Sequence, residues 1–130
     1  MLQLKAAAIF ISMPLKGTSS LAALGKGNLS VMGWPPESTI QVETLPLVTV
    51  LDRHLADGSN FGFLNVDCEG FDLEVLKTND WSRYRPWVIA VEDLTQARDS
   101  QVENFCLGQG YRLFAIAHVT KIFLREDLIA

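Results

Sequence analysis

The sequence predicts one α/β domain whose sheet is mainly parallel and is closed at one edge by a C-terminal antiparallel hairpin. Two observations favour this class. Short apolar runs alternate with amphipathic segments along the chain, and the last two apolar runs are separated by only a tight connection. Strands that alternate with helices form parallel sheets, whereas strands joined by a few residues are antiparallel. The length of 130 residues suits a single domain with one hydrophobic core.

The first half of the chain is predicted to contain two strands and one helix. Ala6 to Met13 is an apolar run that favours a strand. Lys16 to Ser38 is rich in Gly and Pro, which indicates an irregular region. Thr39 to Leu45 alternates between apolar and polar residues, as is typical of a half-buried strand. Pro46 to Ala56 carries apolar residues at helical spacing, so it is predicted to be an amphipathic helix.

The second half of the chain shows the alternation of strands and helices most clearly. The predicted elements are, in order, a buried strand at Phe61 to Val66, a helix at Gly70 to Lys77, a strand at Trp87 to Val91, a helix at Ser100 to Leu107, and a hairpin formed by Tyr111 to Ala117 and Lys121 to Leu124. The connection between the last two strands is short enough to make them antiparallel neighbours.

Bulk composition excludes several classes of function. The net charge is −4, the isoelectric point is about 5.0, and no Lys/Arg cluster is present, so we expect no nucleic-acid partner. No apolar run reaches the roughly 18 to 20 residues of a membrane span, so we expect no membrane partner. Cys68 and Cys106 lack the spacing of a zinc site, and two such thiols favour a reduced, cytoplasmic location. Met1 to Met13 is a weak match to a signal peptide, so a core strand is preferred there.

Acidic residues follow two neighbouring strands of the predicted sheet. Asp67 comes directly after an apolar run, Glu69 follows two residues later, and Glu92 ends the next strand. Ligands of open α/β sheets bind outside the carboxyl ends of the strands, so we expect these three carboxylates to line a site. A carboxylate there could remove a proton from a hydroxyl during a transfer reaction.

Each candidate also has a structural interpretation. Asp67 and Glu69 could cap the helix that begins near Gly70, and Glu92 could be a solvated strand end or the partner of a nearby arginine. Asn65, on the same strand as Asp67, could be a buried hydrogen-bonding residue. Clustered carboxylates also suit Mg²⁺, which leaves a magnesium-dependent enzyme acting on phosphates as an alternative function.

Two segments resemble the FkbM family of S-adenosylmethionine-dependent methyltransferases. Phe63 to Gly70, with the sequence FLNVDCEG, is similar to the family motif LKIDVEG. Arg85 to Glu92, with the sequence RPWVIAVE, is similar to the family motif RPxVIxVE. The resemblance extends over most of residues 17–125, and it departs from the first motif at Asn65 and Cys68.

The resemblance implies a truncated Rossmann-like sheet of the class I methyltransferase type. It implies O-methylation of a hydroxyl on a small molecule or sugar, with S-adenosylmethionine as the cofactor. It also implies that Asp67 and Glu69 act in catalysis, that Asp67 and Asn65 contact the cofactor, and that Glu92 binds the acceptor. No residue is assigned to a metal by the resemblance.

The glycine-rich cofactor turn of such enzymes has no counterpart ahead of the strand at Phe61 to Val66. Glycines in that turn let the backbone approach the ligand, and Gly25-x-Gly27 lies in an irregular region instead. We therefore expect a domain truncated on its N-terminal side, with doubtful activity as a monomer or a non-catalytic role as an assembly module. The exposed edge of this strand would pair with a second copy, making a homo-oligomer, or be covered by Ala6 to Met13.

Overall fold

The computed structural model describes residues 44–55, 61–68 and 70–129, together with the backbone of residues 8–12. Five strands and three α-helices occur in the described part of the chain. They are β1 (Ala8–Ser12), α1 (Leu47–His54), β2 (Phe63–Asp67), α2 (Asp72–Lys77), β3 (Val88–Glu92), α3 (Gln101–Gly108), β4 (Tyr111–Ala117) and β5 (Thr120–Arg125), followed by a 3₁₀ turn at Glu126–Leu128.

The strands form one sheet in the order β1-β2-β3-β5-β4. β1, β2 and β3 pair in parallel, whereas β5 pairs antiparallel with both β3 and β4. The predicted α/β class and the C-terminal hairpin are confirmed. β5 alone runs against the other four described strands, so two of the four strand pairings are antiparallel and the sheet is mixed. The reason is the short turn at His118 and Val119, which folds β5 back into the space between β3 and β4.

β1 covers the edge of β2 that the sequence predicts to be at risk of exposure. The two strands are in parallel register from Ala8 opposite Phe63 to Ser12 opposite Asp67. Strand edges carry rows of backbone donors and acceptors that need partners. Of the two outcomes expected for this edge, the described residues therefore show pairing with the chain's own first strand.

One hydrophobic core lies between the sheet and the three helices. Side chains alternate between the two faces of a strand, and β2 and β3 contribute Leu64, Val66, Ile89 and Val91 to this core. The same cluster includes buried residues of every helix: Leu47 and Leu51 of α1, Leu73 and Leu76 of α2, and Val102 and Cys106 of α3. All three helices therefore pack on one face of the sheet.

The helix α2 differs from its prediction in both its start and its buried face. It begins at Asp72 and not at Gly70, because Gly70 has a φ of +91° and belongs to a turn. The sequence pattern predicts Phe71, Val75 and Leu76 as the buried face of this helix. Leu76 is buried as predicted, whereas Phe71 and Val75 are half-buried and Leu73 is buried as well.

Several predicted segments lie outside the described residues. These are the strand at Thr39 to Leu45 apart from its last two residues, the irregular region at Lys16 to Ser38, and Glu69. Within the described ranges, no helix has both the length and the apolar character needed to cross a membrane.

Candidate active site

The carboxyl ends of β1, β2 and β3 meet at one end of the sheet, which we call the carboxyl edge. Ser12 pairs with Asp67, and β2 and β3 stay in register up to Val66 opposite Val91. The next position on each strand is an acid, so Asp67 and Glu92 lie at neighbouring strand ends. The side chain of Asp67 is exposed and that of Glu92 is half-buried. The structure thus brings these two predicted site residues together.

Asn65 lies on the same sheet face as the two acids, opposite the face that the helices cover. It is two residues before Asp67, it pairs with Ala90 of β3, and its side chain is half-buried. Glu69, the other predicted catalytic residue, is outside the described residues. Asn65, Asp67 and Glu92 are therefore the predicted site residues that the structure describes at the carboxyl edge.

Asp72 organises the turn that connects Asp67 to α2. Its carboxylate accepts hydrogen bonds from the backbone N–H of Cys68 at 2.9 Å and of Gly70 at 3.1 Å, and only 3% of the residue is exposed. Desolvation by burial raises the pKa of Asp72, against the lowering effect of these backbone hydrogen bonds. Asp72 thus holds the backbone directly behind the exposed acid in one conformation.

The sequence alone indicates only that Asp72, in the first turn of a helix, complements the helix dipole. The signal that could have found its role in the turn is local. Asp and Asn side chains often bond backbone N–H groups within a few residues, and Asp72 stands two residues after a turn glycine.

We expect Asp72→Ala to lower the free energy of unfolding by about 1–3 kcal/mol, because it leaves the backbone N–H groups of Cys68 and Gly70 without their acceptor. Urea denaturation followed by circular dichroism measures the change. Glu74→Ala is the matched control, since Glu74 is an exposed acid on the same helix. Equal losses for the two variants would contradict the role given to Asp72.

A second polar cluster is buried and includes Asp93, the residue directly after Glu92. The Nζ of Lys121 is 2.9 Å from a carboxylate oxygen of Asp93 and 2.7 Å from one of Glu103. The same Nζ lies 3.1 Å from the Oγ of Ser100. Lys121 is 1% exposed, and Asp93, Glu103 and Ser100 are also buried. We call these four residues the buried ion-pair network.

Hydrogen bonds to the Asp93 carboxylate keep this residue ionised. Desolvation by burial acts to raise its pKa, but hydrogen bonds from Ser100, Thr95 and Lys121 outweigh that effect and lower the pKa to about 2. Asp93 is therefore ionised at neutral pH, as its pairing with the Lys121 ammonium requires.

The network also begins α3. The Oγ of Ser100 accepts a hydrogen bond from the backbone N–H of Glu103, which makes Ser100 the N-cap of the helix. The pattern Ser-x-x-Glu is the sequence signature of a capping box. In a complete capping box the glutamate side chain reaches back to the N-cap residue. Here the Glu103 carboxylate pairs with the buried ammonium group of Lys121.

The histidines and cysteines of the described chain are poor candidates for catalysis. His54 and His118 are both exposed, the first at the end of α1 and the second in the β4–β5 turn. Cys68 and Cys106 are buried free thiols. Burial raises the pKa of Cys68 to about 11 and that of Cys106 to about 12, so neither is a thiolate at neutral pH.

Metal binding gains no support from the described residues. Within them, no group of three or more His, Cys, Asp or Glu side chains is placed to hold a metal ion. The alternative of a magnesium-dependent enzyme depends on Asp67, Glu69 and Glu92. Asp67 and Glu92 lie at neighbouring strand ends, and Glu69 lies outside the described residues.

Comparison with known protein families identifies the domain. The model of the methyltransferase FkbM domain matches residues 9–113, which include β1 apart from Ala8, β2, β3 and the carboxyl edge. The chain belongs to this family of methyltransferases. Neither the curated proteins nor the solved structures contain a match to the chain. The family match confirms the resemblance of the two motif segments, and it makes the carboxyl edge the candidate active site of a methyltransferase.

Proposed function

We propose that this FkbM domain transfers a methyl group from S-adenosylmethionine to a hydroxyl of a small molecule or sugar. The observation that supports the proposal is the exposed carboxylate of Asp67 at the carboxyl edge, beside Glu92 on the neighbouring parallel strand. In open α/β sheets this end of the strands is where ligands bind. Three parallel strands are followed by antiparallel β5 and then by β4, which runs in the same direction as the first three. This arrangement supports a Rossmann-like sheet of the class I methyltransferase type, with fewer strands on the β1 side.

The residues at the carboxyl edge fit the chemistry of S-adenosylmethionine. When bound, this cofactor supplies an electrophilic methyl group on a sulfonium centre, and it also carries an ammonium group and ribose hydroxyls. A carboxylate accepts hydrogen bonds from hydroxyls and attracts cations, and an amide side chain both donates and accepts. We therefore infer that Asp67 and Asn65 contact the cofactor.

Asp67 is the proposed general base. Its carboxylate accepts the proton of the acceptor hydroxyl as the hydroxyl oxygen becomes the nucleophile, and its exposure lets the proton pass on to water. Asp72 keeps the following turn in place through its bonds to Cys68 and Gly70. Glu92 is proposed to bind a second polar group of the acceptor.

Calorimetric titration of the purified chain with S-adenosylmethionine and S-adenosylhomocysteine tests this function, with the oligomeric state recorded by sedimentation at the same concentrations. We expect saturable binding in the micromolar range. Residues 1–62 contain no D-x-G-x-x-x-G turn, so we also propose a homo-oligomer, in which a second copy pairs along β1 and completes the cofactor site.

The two readouts separate the outcomes. Binding by a homo-oligomer supports both proposals, and binding by a monomer contradicts the shared site. A folded protein that binds neither ligand at millimolar concentration contradicts methyl transfer by this chain.

A further inference from the structure

One apolar side chain stands at the carboxyl edge, on the loop that connects β3 to α3. This loop, residues 93–100, begins directly after Glu92. Leu94 is 55% exposed, and its Cδ1 lies 3.8 Å from the position that a Cβ on Gly70 would occupy. Gly70 belongs to the turn that follows Asp67. Leu94 therefore lies close to the turn that follows the proposed general base.

The loop that carries Leu94 is held in one conformation. The Asp93 carboxylate accepts hydrogen bonds from the backbone N–H of Thr95 at 3.2 Å and from its hydroxyl at 2.6 Å. The buried Nζ of Lys121 donates to the carbonyl of Ala97 at 2.6 Å. Gln96 has a φ of 50°, a conformation that residues with a Cβ adopt only where the surroundings enforce it. Leu94 is thus an exposed apolar group on a fixed support.

Exposed leucines are common on protein surfaces, so exposure alone carries no inference. Leu107 on α3 is 42% exposed. Leu94 differs from it in position, because it combines a fixed loop, proximity to the turn after Asp67, and a place at the ligand-binding end of the parallel strands. Such apolar groups in binding sites contact the hydrophobic parts of a ligand, while a few polar groups set its orientation.

We propose that Leu94 is a specificity-determining contact for the methyl acceptor, favouring a hydroxyl attached to an apolar group over a polyol. The inference rests on the proposed function, since it gives Asp67 the role of binding the same hydroxyl. In the proposed complex, Asp67 binds the acceptor hydroxyl, and Leu94, beside the turn that follows Asp67, contacts the apolar atoms next to that hydroxyl. Discrimination by one apolar contact is modest, of the order of 10-fold.

Cyclohexanol and myo-inositol are suitable probes, because they share a six-membered carbon ring and differ in carrying one hydroxyl or six. Binding of each is followed through the backbone amide signals of Gly70 and Leu94 in two-dimensional NMR spectra. We expect cyclohexanol to shift these signals saturably in the millimolar range, and myo-inositol to bind about 10-fold more weakly. Leu94→Ala should weaken cyclohexanol binding about 5-fold to 10-fold. Leu107→Ala is the matched control and should leave it unchanged.

Three results would each overturn the assignment. The first is that Leu94→Ala binds cyclohexanol as tightly as the unchanged protein does. The second is equal affinity of the unchanged protein for the two probes, and the third is the absence of a saturable shift at Gly70 and Leu94. Both leucines are exposed, so neither alanine variant should unfold the protein. If the protein still binds S-adenosylhomocysteine, any of these results would refute the role of Leu94 without contradicting the proposed methyl transfer. Selective cyclohexanol binding without S-adenosylhomocysteine binding would refute methyl transfer and leave the apolar contact supported.

Discussion

Replacing Lys121 by methionine is expected to lower the free energy of unfolding by about 3–5 kcal/mol, the largest stability effect that we predict for this protein. Lys121 is 1% exposed and pairs with the carboxylates of Asp93 and Glu103. Methionine keeps much of the side-chain volume but removes the charge, so two buried carboxylates lose their cation. Guanidinium denaturation followed by circular dichroism measures the loss.

The control for Lys121→Met is the same substitution at Lys77, an exposed residue of α2. We expect Lys77→Met to change the free energy of unfolding by no more than about 0.5 kcal/mol. A triple variant that combines Lys121→Met with Asp93→Asn and Glu103→Gln should recover part of the loss, since it leaves no unpaired buried charge. Similar effects for Lys121→Met and Lys77→Met would show that the buried ion-pair network does not stabilise the fold.

The same network sets a pH dependence whose sign can be stated. The pKa of Asp93 is about 2 in the folded protein, below the value of roughly 3.9 for an unfolded aspartate. A lowered pKa stabilises the fold above the unfolded value, and this contribution is lost as the pH falls from about 4 to about 2. The free energy of unfolding, measured across this pH range, should therefore fall more steeply with falling pH in the unchanged protein than in Asp93→Asn.

Replacing Asp67 by asparagine is expected to reduce kcat for methyl transfer by about 10²-fold to 10⁴-fold, the typical contribution of a general base. Asparagine has nearly the same shape and can still accept a hydrogen bond, but it cannot take the acceptor's proton. Binding of S-adenosylhomocysteine should therefore change much less than kcat. The rate is measured as S-adenosylhomocysteine release with a panel of alcohols, phenols and monosaccharides as acceptors.

Asp127→Asn is the matched control for this experiment. Asp127 is an exposed acid in the 3₁₀ turn after β5, where its carboxylate pairs with Arg125. Loss of this exposed ion pair should have little effect on stability and none on the rate. Full activity in Asp67→Asn would refute the role of general base, whereas equal losses in both variants would point to a general effect on the fold.

The local elements of the fold were largely predictable from the sequence. β4 has the bounds that were predicted for it, Tyr111–Ala117, because its apolar run is bounded by a glycine and a tight turn. α2 was placed correctly but began two residues late, since the turn at Gly70 and the backbone bonds to Asp72 decide its start. Asp67 and Glu92 could be predicted as candidate site residues because an acid at the end of an apolar run is recognisable from neighbouring residues alone.

The partners of buried polar residues were not predictable in this way. Lys121 lies in an apolar run, and nothing near it in the sequence shows whether its side chain is exposed or paired. Its partner Glu103 is 18 residues away and Asp93 lies further still along the chain. The order β3-β5-β4 was equally hidden, because a tight turn fixes β5 as antiparallel to β4 without saying on which side of β4 it lies.

The sequence by itself therefore determined the family, the α/β class, the elements of the second half of the chain and the two acids of the carboxyl edge. All of these depend on residues close together along the chain, where periodicity and turn residues act. The tertiary structure alone decided which strand covers the edge of β2, how Asp72 supports the turn after Asp67, and which carboxylates pair with Lys121. Those features depend on burial and pairing between distant segments, and the free energy of such contacts exists only once the segments have been brought together.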